Sequence, residues 1–286
     1  MKNLLGIVAS PRKLGNSEIF IKELYRQLPG AWELKLIRLP ELNIRPCQAC
    51  YRCLFEEMRC IQNDDLYLVL EALAQSDAYV VAAPTYFLGA NASLKLLLDR
   101  GLSFYAHFDK LWGKPAVGVA IAGNKGMEGY TKLIIESFIK LTLGDLRGSA
   151  VIYGALPGEI LAENEGKETA KQLAEALVQG RRRESDAPTC PLCGGDTFRF
   201  LPNGQVRCML CSNSGDYRWQ ESGLRCYITP GEHHLFLGYE NAKKHPDSLR
   251  AMKEDFLARR KELKAIIQQY EQMGTWIQAK KSKDPE

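Results

Sequence analysis

Asn3-Leu4-Leu5-Gly6-Ile7-Val8-Ala9, followed at once by Ser10-Pro11-Arg12-Lys13-Leu14-Gly15-Asn16-Ser17, decides how this chain folds. The first seven residues are an apolar run suited to a buried strand, and Ile21, Leu24, Tyr25 and Leu28 then recur at helical spacing. Between strand and helix lies a loop carrying hydroxyls, a guanidinium, a flexible glycine and the free N–H groups of a helix start. That combination cradles an anion, and phosphate is the guest it suits. A plain turn capped by Asn16 or Ser17 is the alternative.

Working outward, Glu33 to Leu39 reads as a second strand and Asp77 to Ala83 as a third. Pro115 to Ile121 and Ser149 to Tyr153 read as the fourth and fifth. Helical segments fall between them, from Asp64-Asp65 to about Gln75, from Ala92 to Arg100 and from Gly129 to Thr142, with a further helix over Lys167 to Val178. Alternation of this kind predicts an α/β fold, a doubly wound parallel sheet of five strands. Ligands of such sheets sit outside the carboxyl ends of the strands, where the strand order reverses. After the third strand, Pro84-Thr85-Tyr86-Phe87-Leu88-Gly89 offers ring faces and backbone groups to a flat heterocycle. Tyr86 and Phe87 serve equally as a lid on the core. Ala122-Gly123-Asn124-Lys125-Gly126 follows the fourth strand at the same edge.

The loop after the second strand holds Cys47, Cys50, Cys53 and Cys60, spaced Cys-x2-Cys-x2-Cys-x6-Cys. Three close thiolates can cap three irons of one cubane while the looser fourth reaches back to the remaining iron, the logic of ferredoxin runs. Two disulfides would need an oxidising compartment, and four unliganded thiols are the plain alternative. The opening residues form too short an apolar core for a signal peptide and lead to no cleavage site. Nine cysteines without such a signal predict a reducing interior, the cytoplasm, where cysteine clusters bind metal. No segment approaches transmembrane length. A net charge of +4 is too mild to argue for nucleic acid, and much of it sits in Arg181, Arg182, Arg183, Lys280, Lys281 and Lys283.

Residues 181–189 break periodicity and read as a linker between a domain over 1–180 and a small unit over 190–230. Cys190-x2-Cys193 and Cys208-x2-Cys211 flank an Asn203-Gly204 hairpin signal, between Thr197 to Leu201 and Gln205 to Cys208. That pattern predicts a zinc ribbon, the metal folding a segment with little apolar content. Cys190-Pro191-Leu192-Cys193-Gly194 also resembles rubredoxin, which holds a single iron; the second pair lacks the following glycine, which favours zinc. Cys226, His233 and His234 read as plain structural residues. In the segment 231–286, Leu249, Met252, Phe256, Leu263, Ile266, Tyr270, Met273 and Ile277 form the seam of a long amphipathic helix that predicts an oligomer or lies on the domain.

Three motifs across residues 1 to about 180 resemble the iron-sulfur flavoproteins of the flavodoxin-like NAD(P)H-dependent FMN reductase superfamily. They are Ser10-Pro11-Arg12 with Gly15-Asn16-Ser17; the cysteine run ending at Cys60 with Asp64-Asp65; and Pro84-x-Tyr86 with Lys95 and Asp99-Arg100. The resemblance implies FMN, its phosphate held by Ser10, Arg12, Asn16 and Ser17 around Gly15, and its ring beside Pro84, Thr85, Tyr86 and Phe87. Gly123, Asn124 and Gly126 would close the other side. It also implies a [4Fe-4S] cluster on Cys47, Cys50, Cys53 and Cys60, and a homo-oligomer, dimer or tetramer. Ala9, where the family often has glycine, and the glycine-poor Asn124-Lys125 depart from the pattern.

The expected function is an FMN-dependent oxidoreductase passing electrons between flavin and cluster, with no catalytic side chain and a redox protein or NAD(P)H as partner. A NAD(P)H-dependent flavin or quinone reductase without a functional cluster is the first rival, and a ribbon-based binding module the second. No Gly-x-Gly-x2-Gly run follows the first strand, so a stably bound NAD is not expected.

Overall fold

A computed structural model describes residues 1–55, 59–180, 188–221, 223–231 and 238–277. The chain divides into two compact units, Met1–His245 and Pro246–Glu286. Arg181 to Arg183, His233, His234 and the lysines at 280, 281 and 283 lie outside the described residues.

In the first unit, β1 (Lys2–Val8), β2 (Trp32–Arg38), β3 (Ala78–Tyr86), β5 (Pro115–Ala122) and β6 (Asp145–Tyr153) form a parallel sheet in the order β2-β1-β3-β5-β6. A short β4 (Gly89–Ala90) folds back antiparallel on the end of β3. The five-stranded, doubly wound expectation holds, and β6 begins four residues before the apolar stretch. Asp145 can join because it accepts from Arg147 at the strand's edge while the Asp145 N–H donates to the Lys114 carbonyl.

Side chains alternate across β1, so Leu4 and Val8 pack on one face while Leu5 and Ile7 pack on the other, all 0–2% exposed. The first face is covered by α1 (Asn16–Gln27) and α7 (Asn164–Gln179), through Phe20, Ile21, Leu24, Leu173 and Leu177. The second carries α3 (Leu66–Gln75), α4 (Ala92–Asp99) and α6 (Thr131–Leu141). Short α2 (Arg52–Phe55) and α5 (Phe108–Leu111) lie in connections. Burying each such leucine or phenylalanine stabilises the fold by about 1.5–3 kcal/mol.

The segment after residue 188 forms its own antiparallel sheet, β10-β9-β8-β7, from β7 (Phe198–Leu201), β8 (Gln205–Cys208), β9 (Ser214–Gln220) and β10 (Gly223–Ile228). The predicted hairpin is the β7–β8 pair, with Asn203 and Gly204 at φ 63° and 71° as its turn requires. β9 and β10 extend it to four strands. This sheet is tied to α6 by Lys132, whose Nζ lies 2.7 Å from both Asp196 oxygens and from Glu136 Oε1, while Ser149 donates to the same Glu136 oxygen. Glu136 is 2% exposed, and its Oε2 has no partner among the described residues. Lys132→Met strands that carboxylate, so the protein should lose about 3–5 kcal/mol of stability in urea unfolding; a loss below about 1 kcal/mol would mark the lysine as a surface contact.

A helix α8 (Tyr239–Gln268) contains Pro246. The seam predicted a start at Ser248; the helix instead begins at Tyr239, whose ring stacks edge-on against Phe108 and Trp112, and ends at Gln268. In the second unit Met252, Phe256, Ile266, Tyr270, Met273 and Ile277 are exposed. Among the described residues no helix is long and apolar enough to cross a membrane.

Candidate functional site

The first loop runs from Ala9 to Gly15 at the carboxyl end of β1. Ser10 is buried, and Gly15 is the extended N-cap of α1, which no side chain caps. A Cβ on Gly15 would come within 2.9 Å of Arg12 Cβ, so glycine lets the loop close. Arg38, at the end of β2, organises the loop from below: Nη1 donates to the Ser10 and Arg12 carbonyls, both at 2.9 Å, and Nη2 donates to Glu18 at 2.5 Å. Glu18 also accepts from the Leu14 N–H and from Lys22. The Asn16 amide is engaged elsewhere, donating to the Gly154 and Leu156 carbonyls and accepting from the Gly158 N–H. It fastens the loop after β6 to the first loop.

Burial pushes the Glu18 carboxyl up, but the hydrogen bonds from Lys22, Arg38 and the Leu14 N–H outweigh it and hold the group at about 2. Its folded value is depressed below the ordinary 4.5, so its stabilisation is present above pH ~4.5 and is lost as pH falls towards ~2. Acid unfolding of the wild type should therefore show a component, on the order of 2 kcal/mol, that Glu18→Gln lacks.

The third-strand loop sits beside it. Thr85 donates to Thr131 at 2.9 Å, and the chain then turns through Phe87 and Leu88 at φ 49° and 65°. Phe87 is fully exposed, and Tyr86, Leu88, Met127 and Tyr130 are exposed around it. The turn is held from the fourth-strand side, where the Tyr130 N–H donates to the Leu88 carbonyl at 2.8 Å. A Cβ on Gly129 would fall 2.1 Å from that carbonyl oxygen, so only glycine permits the approach. Gly123, Asn124 and Gly126 lie in the same β5–α6 connection.

Cys47, Cys50, Cys53 and Cys60 all line one open cavity of about 380 Å³, together with Asp99, Arg100, Leu102 and Ser103. The loop is closed at its base by carboxylates: Asp65 accepts from the Asn43 N–H and Asp64 from the Arg45 N–H. Arg100 bridges Asp64 and Cys60. Burial pushes the Asp64 carboxyl up, but Arg100 and the backbone donors win and lower it.

The ribbon cysteines are buried and converge on a point. Cys190 Sγ lies 3.8 Å from Cys211 Sγ, Cys193 Sγ lies 3.5 Å from Cys208 Sγ, and all four lie within 4.8 Å of one another. A tetrahedral ion with sulfur at about 2.3 Å sets its ligands about 3.8 Å apart. Among the described residues no other group of three or more such ligands gathers so closely, and the loop cysteines, spread around a cavity, do not.

Residues 2–152 match the family described as NADPH-dependent FMN reductase, just over half of the chain. The chain belongs to that family. It is an FMN-dependent oxidoreductase, and its first, cysteine, third-strand and fourth-strand loops follow the carboxyl ends of its own parallel strands. Among curated proteins it is similar to an iron-sulfur flavoprotein of Archaeoglobus fulgidus, 28% identical over 187 residues, covering 63% of this chain and 82% of that one. It is also similar to an iron-sulfur flavoprotein of Methanocaldococcus jannaschii, 29% identical over 187 residues, covering 62% and 95%. A solved flavone reductase aligns over 97% of this chain and all of its own at a TM-score of 0.73 and 18% identity, a likeness of fold.

Three residues that organise this FMN reductase edge escape a reading of motifs. Arg38 and Glu18 sit in a strand and a helix as ordinary polar positions, and only the fold shows them under the first loop. Tyr130 lies after a glycine-rich turn with no periodicity of its own. Cys226, on β10, is half-buried and stands apart from the ribbon quartet.

Proposed function

We propose that the protein carries electrons between FMN and a [4Fe-4S] cluster bound by Cys47, Cys50, Cys53 and Cys60. The observation that carries this reading is the cavity shared by those four thiols, at the same sheet edge as the first loop and the Tyr86–Phe87 turn. The donor set fits: four thiols spread around an open cavity suit a cube of irons better than one ion. The similarity to iron-sulfur flavoproteins supports it.

FMN supplies two-electron and one-electron chemistry when bound, and the chain's residues position it. Ser10, Arg12, Gly15 and the backbone of Asn16 and Ser17 take the phosphate, at a cradle that Arg38 and Glu18 keep in shape. Pro84, Thr85, Tyr86 and Phe87 meet one side of the ring, with Gly123, Asn124 and Gly126 closing the other. Phe87, fully exposed on a strained turn, covers the ring and excludes water. Membership of the NADPH-dependent FMN reductase family points to NADPH as the hydride donor, visiting transiently.

The ribbon takes zinc on Cys190, Cys193, Cys208 and Cys211, on the evidence of sulfur spacings that suit a tetrahedral ion. The exposed apolar residues of α8 fit a homo-oligomer. No disulfide joins any of the nine cysteines, which fits a reducing cytoplasm.

Iron, acid-labile sulfide, zinc and FMN, measured per chain on protein purified without oxygen, test the whole reading. About four irons, matching sulfide, one zinc and one flavin are expected. Flavin and zinc without sulfide would replace it with a plain flavin or quinone reductase.

A further inference from the structure

Arg100 stands where α4 passes into the turn over residues 101–107, its side chain 1% exposed against a fully buried Asp64. Nη1 donates to Asp64 Oδ2 at 2.6 Å and to the Arg45 carbonyl at 2.8 Å. Nη2 donates to Cys60 Sγ at 3.0 Å, with a longer contact to Asp64 Oδ1 at 3.4 Å. Nε has no hydrogen-bond partner among the described residues. Taking a guanidinium out of water costs several kcal/mol, and a neutral side chain of similar shape would close the loop without that cost. A charge kept at such a place calls for a use of the charge.

The fork has a direction. Asp64 holds one edge, anchored by the Arg45 and Leu66 N–H groups, and the other edge delivers an N–H to sulfur. The pair is neutral overall, with its positive end turned towards Cys60. Cys47, by contrast, takes a hydrogen bond from the neutral Ala49 N–H at 3.4 Å. Hydrogen bonds and positive charge at a ligating sulfur stabilise the state with one more electron.

The geometry points to Arg100 as a positioning residue that aims Cys60 at the metal centre and raises that centre's reduction potential, so that it accepts one electron from reduced FMN. The inference rests on the cluster reading above. Asp64 orients the guanidinium and restrains its charge. The electron's arrival adds one negative charge to the centre, and no bond at Arg100 is made or broken.

The test uses the full chain, purified without oxygen, as wild type, Arg100→Gln, Arg100→Lys and the double variant Arg100→Gln with Asp64→Asn. The cluster and FMN midpoints are followed in one redox titration, with iron and sulfide per chain. At the potential where half of the wild-type cluster is reduced, Arg100→Gln should show a reduced-to-oxidised ratio lower by about tenfold, which is about 59 mV for one electron. Arg100→Lys should recover part of the shift. The double variant should fall between wild type and Arg100→Gln, since the facing negative charge is gone too, and the FMN midpoint should stay put. An Arg100→Gln protein that keeps FMN, loses the cluster and regains it as Arg100→Lys also supports the positioning role. A ratio within about threefold of wild type overturns the inference. So does joint loss of cluster and FMN in all three variants, which marks Arg100 as a folding residue. A wild-type protein without sulfide instead defeats the cluster reading itself.

Discussion

Cys53→Ala protein purified without oxygen should carry FMN at the wild-type level and no acid-labile sulfide, its iron falling from about four per chain to about none. Cys53 is the third thiol of the loop, only partly exposed, while Cys47 and Cys50 are exposed at the cavity mouth. Removing it leaves three ligands, two of them exposed, too few to hold a four-iron cube. The first loop and the Tyr86–Phe87 turn lie on other strand ends, so flavin binding does not share the loss. Absorbance and sulfide assay read both together. Sulfide retained in the variant would assign the cluster to other ligands, and loss of FMN with it would show that the cysteine loop supports the flavin edge.

Cys208→Ser should remove the ribbon's metal and unfold the segment 188–231 while the parallel sheet persists. Structural zinc contributes on the order of 10–16 kcal/mol to such segments. Little else holds this one: among the described residues its buried apolar side chains besides the cysteines are Val206, Leu210 and Ile228. Trp219 on β9 is exposed and offers a fluorescence reporter, alongside limited proteolysis of the segment. Chelation of the wild type should mimic the substitution. The Lys132–Asp196 tie would then hold one end of an unfolded segment, so α6 should survive with Glu136 still paired to Lys132. A ribbon that resists both treatments would be folded by its apolar contacts alone.

The central strands β1, β3 and β5 were legible because they are buried on both faces and read as continuous apolar runs, as in Val80 to Ala83 and Val117 to Ala122. β9 and β10 were not, since one face of each is solvated and Arg218, Trp219, Arg225 and Tyr227 interrupt the apolar signal. The cysteines and the Asn-Gly turn announced themselves by spacing. The supports of the site did not. Arg38 reaches Glu18 across twenty residues and Arg100 reaches Cys60 across forty, and a buried ion pair leaves no periodic trace in a sequence. The resemblance implies a phosphate role for Asn16; that its amide side chain also fastens the loop after β6 depends on where a segment 138 residues away comes to rest, and no motif announces it.

Electrons passing between flavin and cluster are counted most directly by an anaerobic reductive titration with dithionite, followed by visible absorption in wild type and Cys53→Ala. A chain carrying both FMN and a cluster should take up about three electrons in the wild type, two by FMN and one by the cluster, and about two in the variant. Wild-type protein saturating at about two electrons, with only flavin absorption bleached, would contradict it.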